Sequence, residues 1–104
     1  MIRYTNPPIT LTVKGKDITD AEVYATIEQN DYRVTKSGAD LEMEAVGDDT
    51  EIAFTLTQEE SALFDASRLT KVQVNWIDGD GMRHATKMAN IQVFDNLLDE
   101  VIND

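Results

Sequence analysis

Apolar and polar residues alternate one for one along most of this chain. Ile9, Leu11 and Val13 alternate with Thr10, Thr12 and Lys14, and Val23, Ala25 and Ile27 with Glu22, Tyr24, Thr26 and Glu28. Leu41, Met43 and Ala45 alternate with Glu42 and Glu44. Ile52, Phe54 and Leu56 alternate with Ala53, Thr55 and Thr57, and Val72, Val74 and Trp76 with Gln73, Asn75 and Ile77. A shorter run holds Ile91 and Val93. Successive side chains of a strand point to opposite faces, so a period of two buries one face of each run and wets the other. That is the pattern of antiparallel sheets with one solvated side.

Turn chemistry separates the runs. Gly15-Lys16-Asp17, Gln29-Asn30-Asp31, Lys36-Ser37-Gly38, Gly47-Asp48-Asp49 and Asp78-Gly79-Asp80-Gly81 each fall where one run stops and the next begins. Short strands punctuated this often mark a sandwich or barrel. The gaps leave no room for helical crossovers between parallel strands. One short helix is predicted in the middle, where Thr57-Gln58-Glu59-Glu60 fits a capping box. Leu63 and Phe64 supply its apolar contacts, and Asp65 to Leu69 form the exit loop. Trp76 has the phase of a core residue.

The two ends read differently. Pro7-Pro8 predicts a stiff, extended N-terminal arm over residues 1–8. The tail over residues 95–104 is acidic and apolar, and Leu97, Leu98, Val101 and Ile102 would share one face if it were helical. That face needs cover, either from the domain's own sheet or from another chain. The whole of 1–104 reads as a single domain, since one hundred or so residues build one core and not two.

Composition narrows the function. There is no cysteine, which excludes a disulfide, a thiolate metal site and a cysteine nucleophile. The first residues lack the apolar core of a secretory signal, and no stretch approaches the length of a membrane helix. The chain is therefore expected to be made in the cytoplasm. The formal net charge is −11, which disfavours contact with nucleic acid or anionic lipid. The acidity can serve solubility, suit a basic partner or imitate DNA toward a DNA-binding enzyme.

Candidate chemistry is sparse. His84 is the only histidine, and no nucleophile or metal-binding pattern accompanies it, so it reads as a sheet-surface residue. Asp78-Gly79-Asp80-Gly81 fails the EF-hand test: with Gly81 at the sixth position, Trp76 and Lys87 fall at the first and twelfth, where ligands are required. It reads instead as a hairpin turn. No phosphate loop or nucleophile elbow occurs. No catalytic, cofactor-binding or metal-binding residues are assigned, and no cofactor is expected. Tyr24 points away from the apolar face and is the best aromatic candidate for an exposed protein contact. Leu97, Leu98, Val101 and Ile102 are the other contact candidates.

Two segments carry a resemblance. One is Thr50-Glu51-Ile52-Ala53-Phe54-Thr55-Leu56-Thr57-Gln58-Glu59-Glu60-Ser61. The other is Val72-Gln73-Val74-Asn75-Trp76-Ile77-Asp78-Gly79-Asp80-Gly81, followed by Ala85-Thr86 and Ile91-Gln92-Val93, with a weaker match over Ile18 to Val34. This order resembles small virion and tail proteins encoded in prophages of Gram-positive bacteria. It is also similar to the N-terminal domain of siphophage upper baseplate proteins. The resemblance implies an all-β, antiparallel, immunoglobulin-like β-sandwich with a short helical crossover. It implies a non-catalytic structural or assembly role, with other virion proteins or the chain itself as partner and no nucleic acid or membrane. Two rivals remain: a small acidic prophage inhibitor that mimics DNA toward a host enzyme, and a carbohydrate-binding module.

Overall fold

The structure is a computed structural model and describes residues 1–102. Each alternating run forms a strand. Strands β1 (Pro8–Val13), β4 (Glu42–Val46) and β5 (Asp49–Thr55) make a three-stranded sheet in the order β1-β5-β4. Strands β2 (Glu22–Gln29), β3 (Tyr32–Ser37), β6 (Thr70–Ile77), β7 (Arg83–Ala85) and β8 (Ala89–Ile91) make the larger sheet. Its order is β3-β2-β6-β7, with β8 also on β6. Every ladder between these strands is antiparallel. The fold is all-β with two antiparallel sheets.

The inward positions of the two sheets form one core. Ile9, Val13, Ile52 and Phe54 from the smaller sheet join Val23, Ala25, Ile27, Val72, Val74 and Trp76 from the larger. Ala25, Ile27 and Ile52 are wholly inaccessible, and Trp76 is buried as its phase required. Leu11 and Met43 are only half-buried against this core. Ala45, expected inside, is exposed, because β4 is an edge strand with β5 on one side only.

Four buried polar side chains, Thr50, Gln29, Thr70 and Ser61, tie the loops and the N-terminal arm to neighbouring elements. The Thr50 hydroxyl donates to the Lys16 carbonyl (2.8 Å) and accepts from the Ile18 amide (3.0 Å), fixing the β1–β2 connection. The Gln29 amide donates to the Asp65 carbonyl and to the Thr70 hydroxyl, both at 2.8 Å, and its oxygen accepts from the Asp65 amide. The Ser61 hydroxyl accepts from the Thr5 amide and donates to the Thr5 carbonyl. Each pairing satisfies groups that would be costly to bury alone.

The helix α1 (Gln58–Ala62) carries the predicted capping box: Thr57 Oγ1 accepts from the Glu60 amide (3.1 Å), and the Glu60 carboxylate accepts from the Thr57 amide (2.9 Å). Lys36 on β3 donates to both Glu60 oxygens, at 2.9 and 3.0 Å, and the Tyr32 hydroxyl donates to the Glu60 carbonyl. Phe64 then turns into the core and meets Tyr32 edge-on with ring centroids 4.7 Å apart. Leu63 is left exposed.

Strands β7 and β8 are one strand broken by a bulge. Asn75 lies opposite Ala85 while Val72 lies opposite Ala89, so three steps on β6 are matched by four on its neighbour. Thr86 fills the gap. Its amide donates to the Val74 carbonyl, its hydroxyl accepts from the Val74 amide, and its carbonyl accepts from the Gln73 side chain.

Both ends depart from expectation. The arm over residues 1–8 is not uniformly extended: Tyr4 takes a left-handed φ of 62°. The Phe94 amide donates to Met1 and the Arg3 amide to Phe94, forming a parallel bridge between Ile2 and Phe94. Only Pro7 and Pro8 are stiffened by their rings; the residues before them are placed by these bonds. The tail forms no helix over its described residues. Its backbone is captured by side chains instead, which compete with helical pairing. Asn96 accepts from the Leu98 amide and donates to the Arg3 carbonyl, and the Gln58 amide group binds both N–H and C=O of Ile102. The rest of the expected tail, residues 103–104, lies outside the described residues.

Two outcomes are expected. Trp76→Ala, Phe54→Ala and Ile27→Ala should each cost about 2–5 kcal/mol in denaturant unfolding; a Trp76→Ala protein as stable as the parent contradicts the inward phase of β6. Burial works to raise the Glu60 carboxyl, but Lys36 and the Thr57 amide and hydroxyl outweigh it and hold the group below its ordinary value of 4.5. A lowered folded value means that this contribution is complete above pH 4.5 and is lost as pH falls through the folded value. Glu60→Gln should therefore flatten the acid limb of the melting-temperature curve; an unchanged acid limb excludes Glu60 as a source of it.

Candidate functional site

Three surface regions hold the residues singled out by the sequence. The first is the outer face of the larger sheet. Glu22, Tyr24, Thr26 and Glu28 of β2 point outward between Thr35 and Ser37 of β3 and Lys71 to Ile77 of β6. Tyr24 is half-buried here. Its hydroxyl donates to the Glu22 carboxylate, a contact that raises the Tyr24 hydroxyl above its ordinary value.

Tyr24 stands at one end of a trough. Beside it lie Thr26, Thr35, Asn75, Ile77 and Arg83. The trough continues over Gln73, Lys71, Arg33 and Met88. Arg33 is ion-paired with Glu28. The Arg83 guanidinium donates to the side-chain oxygen of Asn75, a neutral group, at 3.2 and 3.3 Å. The lining mixes hydroxyls, amides, the cations of Arg33, Lys71 and Arg83 and the carboxylate of Glu28 with the apolar Ile77 and Met88, and its excess of donors suits hydrogen bonding with a polar or anionic surface. Sequence reasoning found Tyr24 but missed Lys71, Asn75 and Arg83. Their signal was the outward phase of β6 and its pairing partner β7, and only the register brings those strands together.

The second region is the hairpin that joins β6 to β7. Asp78 organises it. Oδ1 accepts from the Asp80 amide (2.9 Å) and the Met82 amide (3.0 Å), and its carbonyl accepts from the Gly81 amide. Gly81 holds a φ of 79°, which a side chain would strain. Oδ2 lies 2.7 Å from His84 Nε2. The bond to His84, then that from the Met82 amide, hold the Asp78 carboxyl below its ordinary range. His84 is not a free surface residue as expected. It sits opposite Trp76 in the ladder and stacks on the indole, centroids 5.4 Å apart and planes 22° apart. Lys16 Nζ approaches the same indole at 5.9 Å.

The cleft beside this stack is lined by Lys16, Asp17, Asp20, Trp76, Asp78 and His84. An aspartate that orients a histidine is half of a nucleophilic triad. No hydroxyl or thiol side chain lines this cleft to complete one. The bond and the stack together tie the hairpin to Trp76. Among the described residues no group of three or more His, Asp or Glu is placed to hold a metal ion.

The third region is the tail. Leu97 is fully exposed, Leu98 and Ile102 are about half exposed, and Val101 is partly covered. They do not share a helical face. The Gln58 clamp nevertheless sets Ile102 beside α1. No helix among the described residues is long and apolar enough to cross a membrane.

Comparison with known proteins adds nothing to this geometry: no family model matches the chain, and no curated protein or solved structure matches it.

The role of Asp78 is testable. Asp78→Ala should lower the melting temperature and change the emission of Trp76, the one tryptophan. Asp78→Asn keeps an acceptor for the two loop amides and should lie between the two. If both variants match the parent in emission and melting, the hairpin is held by its backbone alone.

Proposed function

We propose that the chain is a non-catalytic structural or assembly component of a phage or prophage particle, in its tail or baseplate, acting through protein–protein contacts. It would be made in the host cytoplasm and carried in the virion. The type of sandwich is part of this proposal. Immunoglobulin domains order their strands A-B-E-D on one sheet and C-F-G on the other, variable-type domains adding C′ beside C. The orders β1-β5-β4 and β3-β2-β6-β7 are compatible with that scheme, with no counterpart of its A strand among the described residues, and this supports the reading. The helix α1 then falls in the E–F crossover.

The observation that carries the assembly reading is the fixed, exposed apolar end of the domain. Leu97, Leu98 and Ile102 stand in water while the Gln58 amide group pins the Ile102 backbone and Asn96 the Leu98 amide. Leu63 at the end of α1 is exposed as well. Apolar surface that is both ordered and open marks a contact site more often than a defect. The sequence resemblance over Thr50 to Val93 supports the same reading.

Light scattering across a concentration series, on the full chain and on a chain ending at Asp95, tests the contact. The full chain should gain mass with concentration and the shortened chain should not. A full chain that stays monomeric, with a shortened chain that only loses stability, makes the tail a private part of the fold. The neighbourhood of the gene tests the particle itself: flanking tail genes support the proposal, and an isolated early-expressed gene contradicts it in favour of an inhibitor.

A further inference from the structure

The hairpin of β4 and β5 is exposed and acidic. Glu42, Glu44, Ala45 and Val46 are all open to solvent, although they belong to alternate faces of β4. One edge of β4 is paired with β5 and the other is free. Glu44 lies directly opposite Glu51, and like charges so placed destabilise a sheet. No lysine or arginine occurs on β1, β4 or β5 to offset them.

The outer face of the larger sheet offers the complement. Lys71 makes no ion pair among the described residues. Arg83 is bonded only to a neutral amide. These cations sit in a concave trough beside Thr26, Thr35 and Asn75. Such hydroxyls and amides can bond the free polar groups of a strand edge. Glu28 also lines the trough, opposite Lys71 and paired with Arg33, but Arg33, Lys71 and Arg83 outnumber it, and on a chain of net charge −11 such a hollow attracts an acidic ridge.

We propose that the β4–β5 hairpin of one molecule docks into this trough of a second copy. The inference rests on the assembly reading and adds a second contact to that of the tail, with neither contact sufficient alone. Glu44 and Glu51 meet Lys71 and Arg83, and Val46 adds apolar area against Met88 and Ile77. Opposite charges of this kind fix register and exclude wrong partners. Ridge and trough are different surfaces on different sheets, so the contact is heterologous. Such contacts propagate into rings or filaments and do not stop at a symmetric pair. Repulsion between the acidic molecules is screened beyond about 8 Å at physiological ionic strength, so the short-range pairing decides.

Sedimentation velocity at physiological salt, with two double variants of the full chain, tests this. E44Q/E51Q blunts the ridge and K71Q/R83Q empties the trough. All four positions are solvent-facing, and melting curves with near-ultraviolet dichroism of Trp76 confirm the fold of each. The parent chain should form a concentration-dependent series of oligomers. Each variant alone should remain monomeric. An equimolar mixture should form one-to-one dimers and nothing larger, because one intact ridge meets one intact trough and both free ends are then blocked. A mixture that stays monomeric, variants that associate like the parent, or a parent that never associates would each overturn the docking. If association survives both double variants but is lost on truncation at Asp95, the assembly reading stands on the tail and this contact is wrong.

Discussion

Each sheet has one apolar face, and the two faces can leave water only by meeting. Every other feature of the molecule follows from that demand. Strands β2, β5 and β6 carry it: Ile27, Ile52 and Val74 are buried on their inner faces with Phe54 and Trp76 beside them. Closing a sandwich over so small a core leaves loop ends to be sealed. Here polar side chains do that work. Thr50, Gln29, Thr70 and Ser61 are buried, each bonded to loop backbone, and Gln29 is bonded to the Thr70 hydroxyl as well. The Lys36–Glu60 pair adds a largely buried tie between β3 and α1. Exposed pairs such as Arg33–Glu28 contribute about 0–1 kcal/mol at most, so burial and these buried bonds set the stability.

Most of the fold was legible because period-two alternation is a local signal with a single physical meaning. The strands around Val23, Ile52 and Val74 stand where their phase put them, and the capping box at Thr57 and Glu60 has both of its bonds. The sealing residues were less visible. Gln29 follows Ile27 in phase, yet as a polar residue beside Asn30-Asp31 it was read with the turn. Its burial depends on Asp65 and Thr70, far away in the chain. Thr50 continues the phase of Ile52 and Phe54 in the same way. The failure at Ala45 has the opposite cause: its phase is right, but an edge strand has less to cover it.

The tail shows why apolar spacing is a weak guide at a chain end. Leu97, Leu98, Val101 and Ile102 have helical spacing, but helix formation needs free backbone groups as well as an apolar face. Asn96 and Gln58 take those groups first. The surface chemistry was hidden for a related reason. Lys71, Asn75 and Arg83 become neighbours only through the pairing of β6 with β7, which no short motif announces. His84 and Asp78 were each noticed in the sequence, but their bond depends on the width of the hairpin between them.

The molecule therefore divides into an inside that specifies the fold and an outside that we propose makes contacts. Amide spectra of the labelled chain, recorded from micromolar to millimolar concentration, test that division most directly. The account predicts concentration-dependent shifts grouped on β4, on the outward residues of β6 and β7, and on the tail. Amides of Asp17 to Asp20 and of Asp78 to Gly81, on the cleft side of the Trp76–His84 stack, should hold still. Spectra that superimpose at every concentration, or shifts confined to the Trp76–His84 cleft, would contradict it.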